Sequence, residues 1–246
     1  MSSEYEGLYQ MFTGEDHINK AGQISQWNSL SDLSYLYPKP CDQLYGSVGE
    51  VFPKESNSIS LFSSDLCRPV FFNFKEDTEV SGIPGFKYWL EDMFIGNATT
   101  NTSNSCYNPE PDFVIHYPDL SHAPINETLN ILNMPLINGL LNTSACQKHS
   151  TGTYVSFPHF YLGDPVLLDQ FDGRSDLHPN EEDHSSYMSI MQGTDIPIEA
   201  ALRFQINFLY RPLPHISLFD NLPPTFYPAM WYEVTSELAD SDDVED

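Results

Sequence analysis

The sequence predicts an α+β fold dominated by strands: part of an antiparallel β-barrel with short connecting helices. Three observations lead there. Aromatic residues make up 13% of the 246, with 16 Phe and 14 Tyr, a bias toward pleated surfaces. Apolar runs are short, and the longest alternates with period two. The 19 prolines break any long element, and the regular alternation of strand and helix that marks a parallel sheet is missing.

Taken in order, the first strand signal is the aromatic run at 69–74 (P-V-F-F-N-F), just after Cys67. A second, 86–90, follows the turn-like 82–85 (G-I-P-G). A third begins after Gly152 and stops at Pro158. The clearest alternation is 203–210. Phe204, Ile206, Phe208 and Tyr210 share one face, and Arg203, Gln205 and Asn207 share the other, so the apolar face is expected on a core. Helices are expected to be brief. Asp164 makes an N-cap, Pro165 fits the first helical position, and Gly173 ends that segment. A further helical turn is expected at 199–202.

Residues 96–146 differ in composition. They are rich in Asn, Ser, Thr and Pro and carry four Asn-x-Ser/Thr sequons, at Asn97, Asn101, Asn126 and Asn142. The stretch reads as a glycan-bearing surface excursion with a thin core, tied down by cysteines. The last ten residues, 237–246, include six acids and read as a disordered acidic tail. No internal repeat is visible.

Charge excludes whole function classes. With 35 acidic against 10 basic residues the formal net charge is −25, so nucleic-acid binding is not expected. An anionic membrane surface would repel the chain. The first thirty residues show no leader pattern, and no apolar run is long enough to span a bilayer. Those features alone indicate a cytosolic protein, but two others oppose it. Cys41, Cys67, Cys106 and Cys146 form an even set without zinc-site spacing, and the sequons cluster in the same region. A secretory-pathway origin is expected, with termini that are not the biological ones. Four cysteines allow three pairings, and the residues themselves do not choose among them.

Chemistry-bearing residues are few. His178, Glu181, Glu182, Asp183 and His184 could suggest a metal, but two histidines six apart do not share a helical face, and Pro179 points to a turn. A solvated turn with carboxylates near a helix start is the expectation. His159, between Pro158 and Phe160, is read as a packed histidine donating to backbone. The sequence holds no nucleophile elbow, phosphate-binding glycine loop or free-cysteine motif. No enzyme, no cofactor and no metal are expected.

Several strings, in order, resemble the class B scavenger receptor family, whose members include a fatty-acid translocase, a high-density-lipoprotein receptor and a lysosomal integral membrane protein. They are F-T-G-E-D-H-I-N-K (12–20), F-S-S-D-L-C-R (62–68), S-G-I-P-G-F-K-Y (81–88), S-F-P-H-F-Y (156–161), D-L-H-P-N-E-E-D-H (176–184) and R-F-Q-I-N (203–207). Pro228 to Trp231 resembles the segment before the family's last membrane helix, whereas 96–145 match poorly. The resemblance implies that residues 1–236 are the second half of a glycosylated ectodomain, extracellular or lysosomal-lumenal. Membrane helices would lie outside the chain at both ends. It implies disulfides Cys41–Cys106 and Cys67–Cys146, each closing a loop of about 65 to 80 residues worth roughly 4 kcal/mol. It implies binding and membrane transfer of lipid or lipoprotein through an apolar tunnel, with escort of a protein partner or adhesion as the alternative. Two departures stand out. The apical bundle that supplies basic contacts to anionic particles has no counterpart, and 190–196 depart from the Pro-x-Thr-Gly turn usual there.

Overall fold

The computed structural model describes residues 7–52, 57–107, 136–146, 152–171, 176–210 and 225–238. They build two antiparallel sheets. The smaller pairs β1 (Tyr9–Met11) with β2 (Ile24–Trp27). The larger contains β3 (Ser58–Ser63), β4 (Arg68–Val80), β5 (Ile83–Trp89), β6 (Leu141–Asn142), β7 (Thr153–Ser156), β8 (Tyr187–Met191), β9 (Pro197–Tyr210) and β10 (Thr225–Glu237). Its order is β3-β4-β5-β8-β9-β7-β6, with β10 also paired to β9.

Strand β9 organises the sheet. β8 lies along its first half, with Tyr187 opposite Ala201, and β7 along its second, with Val155 opposite Ile206. β10 runs along the whole opposite edge, from Glu237 against Glu199 to Thr225 against Tyr210. Among the described residues no strand pairs with the outer edge of β10, and β3 does not pair with β6, so the sheet is open and not a closed barrel. The β-dominated α+β class holds. Among the described residues the helices are short: α1 (Val166–Asp169) and α2 (Glu181–His184) are single turns, beside a few 3-10 segments, the longest Thr102–Tyr107.

The runs at 69–74 and 86–90 fall on β4 and β5, which extend beyond them. The turn sits one residue earlier than the Gly-Pro signal placed it. Ser81 and Gly82, at φ 49° and 77°, form a two-residue hairpin between Val80 and Ile83. Ile83, Pro84 and Gly85 are already strand. Gly85 is needed there because a Cβ would lie 2.9 Å from Ile198 Cδ1 and 3.1 Å from Ile190 O.

Four expectations are corrected. Residues 199–202 are strand, not helix: their Glu-Ala-Ala-Leu propensity is overridden by pairing with β8 on one side and β10 on the other. Asp164 Oδ1 does accept the Val166 N–H at 3.0 Å, but α1 ends after one turn, and Gly173 lies outside the described residues. Within the 96–146 excursion, Leu140 and Leu141 are at most 3% exposed, so its C-terminal end is packed, while 108–135 lie outside the described residues. Glu237 belongs to β10; residues 239–246 lie outside the description.

One apolar cluster lies against the main sheet, with Val70, Phe72, Tyr88, Met188, Ile190 and Phe204 from four strands. A second surrounds the cysteines through Ile24, Trp27, Leu33, Tyr37 and Phe62. A third holds Leu140, Tyr154, Phe160 and Leu167.

Candidate functional site

Antiparallel pairing places partner side chains on the same face, so β9 and β10 together present two surfaces of opposite character. One surface is apolar. It starts in the core at Phe204 and Tyr232 (centroids 6.3 Å apart) and continues through Ile206 and Met230 to Phe208 and Tyr227, then Tyr210. Along this line exposure rises: Phe204 is 6% exposed, but Phe208 39%, Tyr210 43%, Tyr227 52% and Met230 59%. Tyr210 and Tyr227 close it edge to face at 5.7 Å. The alternation at 203–210 therefore puts its apolar face on the core only as far as Phe204. Beyond that residue the same face is open.

The other surface is polar and buried, the reverse of the expected solvent face. Gln205 and Asn207 are 1% and 0% exposed. Gln205 Nε2 donates to Ser156 Oγ (3.2 Å) and Asn207 Oδ1 (2.9 Å), and Asn207 Nδ2 donates to Ser156 Oγ (3.0 Å) and Tyr154 O (3.3 Å). Gln205 Oε1 accepts the His159 N–H at 2.9 Å. His159 needs that tether: it sits at φ 53°, with Phe160 at 57° and Leu162 at 56°, in left-handed backbone that costs energy in side-chain-bearing residues.

The S-F-P-H-F-Y and H-P-N-E-E-D-H strings meet here. The imidazoles of His159 and His184 lie 4.3 Å apart, tilted by 33°, and the Trp231 ring of β10 lies edge-on to both, at 6.5 and 6.2 Å. The expected donation from His159 to backbone is reversed, because its Nδ1 accepts the His178 N–H at 3.1 Å. Nδ1 of His184 likewise accepts the Asn180 N–H at 3.0 Å. Asn180 Oδ1 caps α2 through the Asp183 N–H at 2.8 Å. Arg203 locks α2 to the sheet, with Nη1 donating to Ser185 O at 2.8 Å and Nε paired to Glu233 at 2.6 Å. The His/carboxylate cluster is thus a capped turn beside a tilted pair of imidazoles. Glu181 and Glu182 are exposed on α2.

Burial, and next the neighbouring His159, hold His184 below its usual 6.5. The folded protein therefore resists a proton that the unfolded chain accepts. Stability should be full above pH 6.5 and fall as pH drops from there through the folded value. His184→Asn, which keeps an acceptor without titrating, is expected to flatten this slope in urea-unfolding midpoints measured against pH. An unchanged slope would remove His184 as its source.

The disulfide corner lies at the other end of β4. Disulfides join Cys41 to Cys106 and Cys67 to Cys146, with Cα separations of 5.7 and 5.6 Å. Three sequon asparagines fall nearby, and Asn126 lies outside the described residues. Asn97 donates to Leu136 O at 3.1 Å and accepts from Thr99 and Thr100; Asn101 donates to Met93 O at 2.8 Å; Asn142 accepts the Ser144 N–H at 3.0 Å. Among the described residues each keeps at least one side-chain amide hydrogen without a partner, which is the hydrogen an N-linked sugar replaces.

The CD36 family model matches residues 1–243. The chain belongs to the CD36 family. Among curated proteins it is similar to Protein peste of Drosophila melanogaster, 30% identical over 245 residues that cover 97% of this chain and 39% of the relative. It is also similar to Scavenger receptor class B member 1 of Bos taurus (27% over 241 residues, 97% and 42%) and to Lysosome membrane protein 2 of Homo sapiens (28% over 229, 92% and 42%). The chain spans about two fifths of the length of these relatives. The family is one of membrane receptors, and no helix among the described residues is long and apolar enough to cross a membrane.

Two parts of the site escaped the sequence reading. Of β10 the sequence reading singles out only Pro228 to Trp231, by resemblance, and a proline is unusual within a strand. It is tolerated because β10 is an edge strand that bulges between Pro228 and Met230. The motif at 62–68 gives no sign that Arg68 is buried against Tyr107 and Asn104.

Proposed function

We propose that the chain is the second half of a scavenger-receptor-type ectodomain, at the plasma membrane or in the lysosomal lumen, that binds lipid or lipoprotein-borne lipid and passes it toward the bilayer. The observation that carries this reading is the β9–β10 stripe. Phe208, Tyr210, Tyr227 and Met230 form a contiguous apolar surface that runs directly into the core at Phe204 and Tyr232. A surface of that kind marks a binding site more often than chance exposure. In this reading strands beyond the chain pair with the free edge of β10, complete a barrel around the stripe, and turn it into an apolar tunnel. The net charge of −25 opposes direct capture of anionic particles by this half.

The test is titration of a reconstructed full ectodomain with labelled fatty acid and sterol. Replacing Phe208, Tyr227 and Met230 together by Ser is expected to weaken binding at least tenfold, since each buried apolar side chain is worth about 1.5–3 kcal/mol. Unchanged affinity would contradict the proposal. The same reading assigns N-glycans to Asn97, Asn101, Asn126 and Asn142. Enzymatic deglycosylation of secreted protein should shift its mass, with one step lost for each Asn→Gln substitution.

A further inference from the structure

A cavity of ≈ 370 Å³ opens at the disulfide corner, beside Arg68 and Cys41. It lies near the small end of the roughly 300–1,000 Å³ usual for ligand sites. Its wall carries the rings of Tyr45 and Phe71, with centroids 5.5 Å apart and planes tilted by 49°, and the side chain of Met93. All three residues remain exposed, an aromatic surface left open next to a packed cluster. Gln43 and Asn73 add amide groups to the same wall.

Asn101 lines this cavity too, and among the described sequon asparagines neither Asn97 nor Asn142 does. Its carboxamide is fixed at both ends. Oδ1 accepts the Ser103 N–H at 3.1 Å, and Nδ2 donates to Met93 O at 2.8 Å. Ser103 and Met93 are themselves lining residues. Gly96 permits the close seating, since a Cβ there would lie 3.1 Å from Asn101 Cβ. Whatever replaces the remaining Nδ2 hydrogen therefore starts at the cavity. No residue of the β9–β10 stripe lines it.

We propose that this cavity seats the first N-acetylglucosamine of a glycan carried by Asn101, its pyranose ring on Tyr45 and Phe71 and its acetamido group on Gln43 and Asn73. The inference rests on the secretory reading above and gives one of its sugars a fixed place in the fold. Transfer from a diphosphate-linked oligosaccharide forms the Nδ2–C1 bond, breaks the donor's C1–O bond and releases the amide hydrogen as a proton. The wall suits such a group. A pyranose presents C–H groups on its faces, which pack on aromatic rings, and an amide and hydroxyls at its rim, which need hydrogen-bond partners. An uncharged ligand also tolerates Glu91, which lines the same cavity. Seated there, the sugar covers the open aromatic surface and ties the turn at Asn101 to β4.

Full ectodomain secreted from cells, with its glycans, tests this. Peptide mass spectrometry reads occupancy first, and sugar is expected at Asn101. A seated sugar must leave the cavity before N-glycosidase can reach it. Replacing Tyr45 and Phe71 together by Ser should therefore speed release from Asn101 about tenfold and leave release from Asn97 and Asn142 unchanged. Where that double variant fails to fold, trimming decides. An endoglycosidase that leaves only the first sugar should not move the urea midpoint, whereas Asn101→Gln should lower it and Asn97→Gln should not. A bare Asn101 beside glycosylated neighbours, release rates indifferent to the aromatic pair, or an unchanged midpoint in Asn101→Gln overturns the proposal. Absence of sugar from every sequon overturns the secretory reading and the seat with it.

Discussion

Replacing Cys67 and Cys146 by alanine is expected to lower unfolding stability by about 4 kcal/mol. The bridge closes a loop with a sequence separation of 79, and chain-entropy arguments give that figure for a loop of this length. Such a loss is a large share of the ~5–15 kcal/mol typical of a whole domain. Its local consequence follows from position. The bridge ties the turn before β4 to the segment after β6, beside a core cluster built from Ile24, Trp27, Leu33 and Phe62, so that corner should loosen first. The Cys41–Cys106 bridge, with a separation of 65, should cost nearly as much. Urea unfolding of the double-alanine variants, followed by tryptophan fluorescence, measures both. A loss below about 1 kcal/mol would mean that the unfolded chain is already compact around these cysteines.

The second large effect is expected at Gln205. Gln205→Leu keeps the volume roughly constant but removes the partner of the buried Asn207 Oδ1 and of the half-buried His159 N–H. Each orphaned group costs about 1–3 kcal/mol, so a loss of about 2–4 kcal/mol is expected. The same change should release the left-handed backbone at His159 and with it the ring contact to His184. Hydrogen exchange of the His159 amide reports this directly. Fast exchange in the variant and slow exchange in the parent is the expected pattern, and equal rates would show that the network does not hold the turn.

These two sites differ in how readable they were. The runs at 69–74 and 86–90 and the alternation at 203–210 announced β4, β5 and β9, because apolar periodicity is a local signal. Residues 199–202 were misread for the same reason: Glu-Ala-Ala-Leu is good local helix, and only the flanking strands β8 and β10 make it sheet. The burial of Gln205 and Asn207 was invisible, since polar-out alternation assumes that one face of the strand meets water. Here β7 brings Ser156 and α2 brings His184 onto that face, and Trp231 of β10 closes over it. The four cysteines were plain in the sequence, but what they enclose was not. The cavity beside Arg68 is made from the turns around Pro40, Met93 and Asn104, which no periodicity connects. The stripe on β9–β10 lay between these cases. Phe208 and Tyr210 were read as apolar, but their exposure depends on what β10 leaves uncovered.

The proposed lipid-binding role requires that stripe to be the surface that meets lipid. Photoaffinity labelling of the full ectodomain with a photoactivatable fatty acid, followed by mass-spectrometric mapping, tests it most directly. Labelled peptides should contain Phe208, Tyr210, Tyr227 or Met230, and excess unlabelled fatty acid should suppress the labelling. Saturable labelling confined to other strands, with the β9 and β10 peptides unmodified, would contradict it.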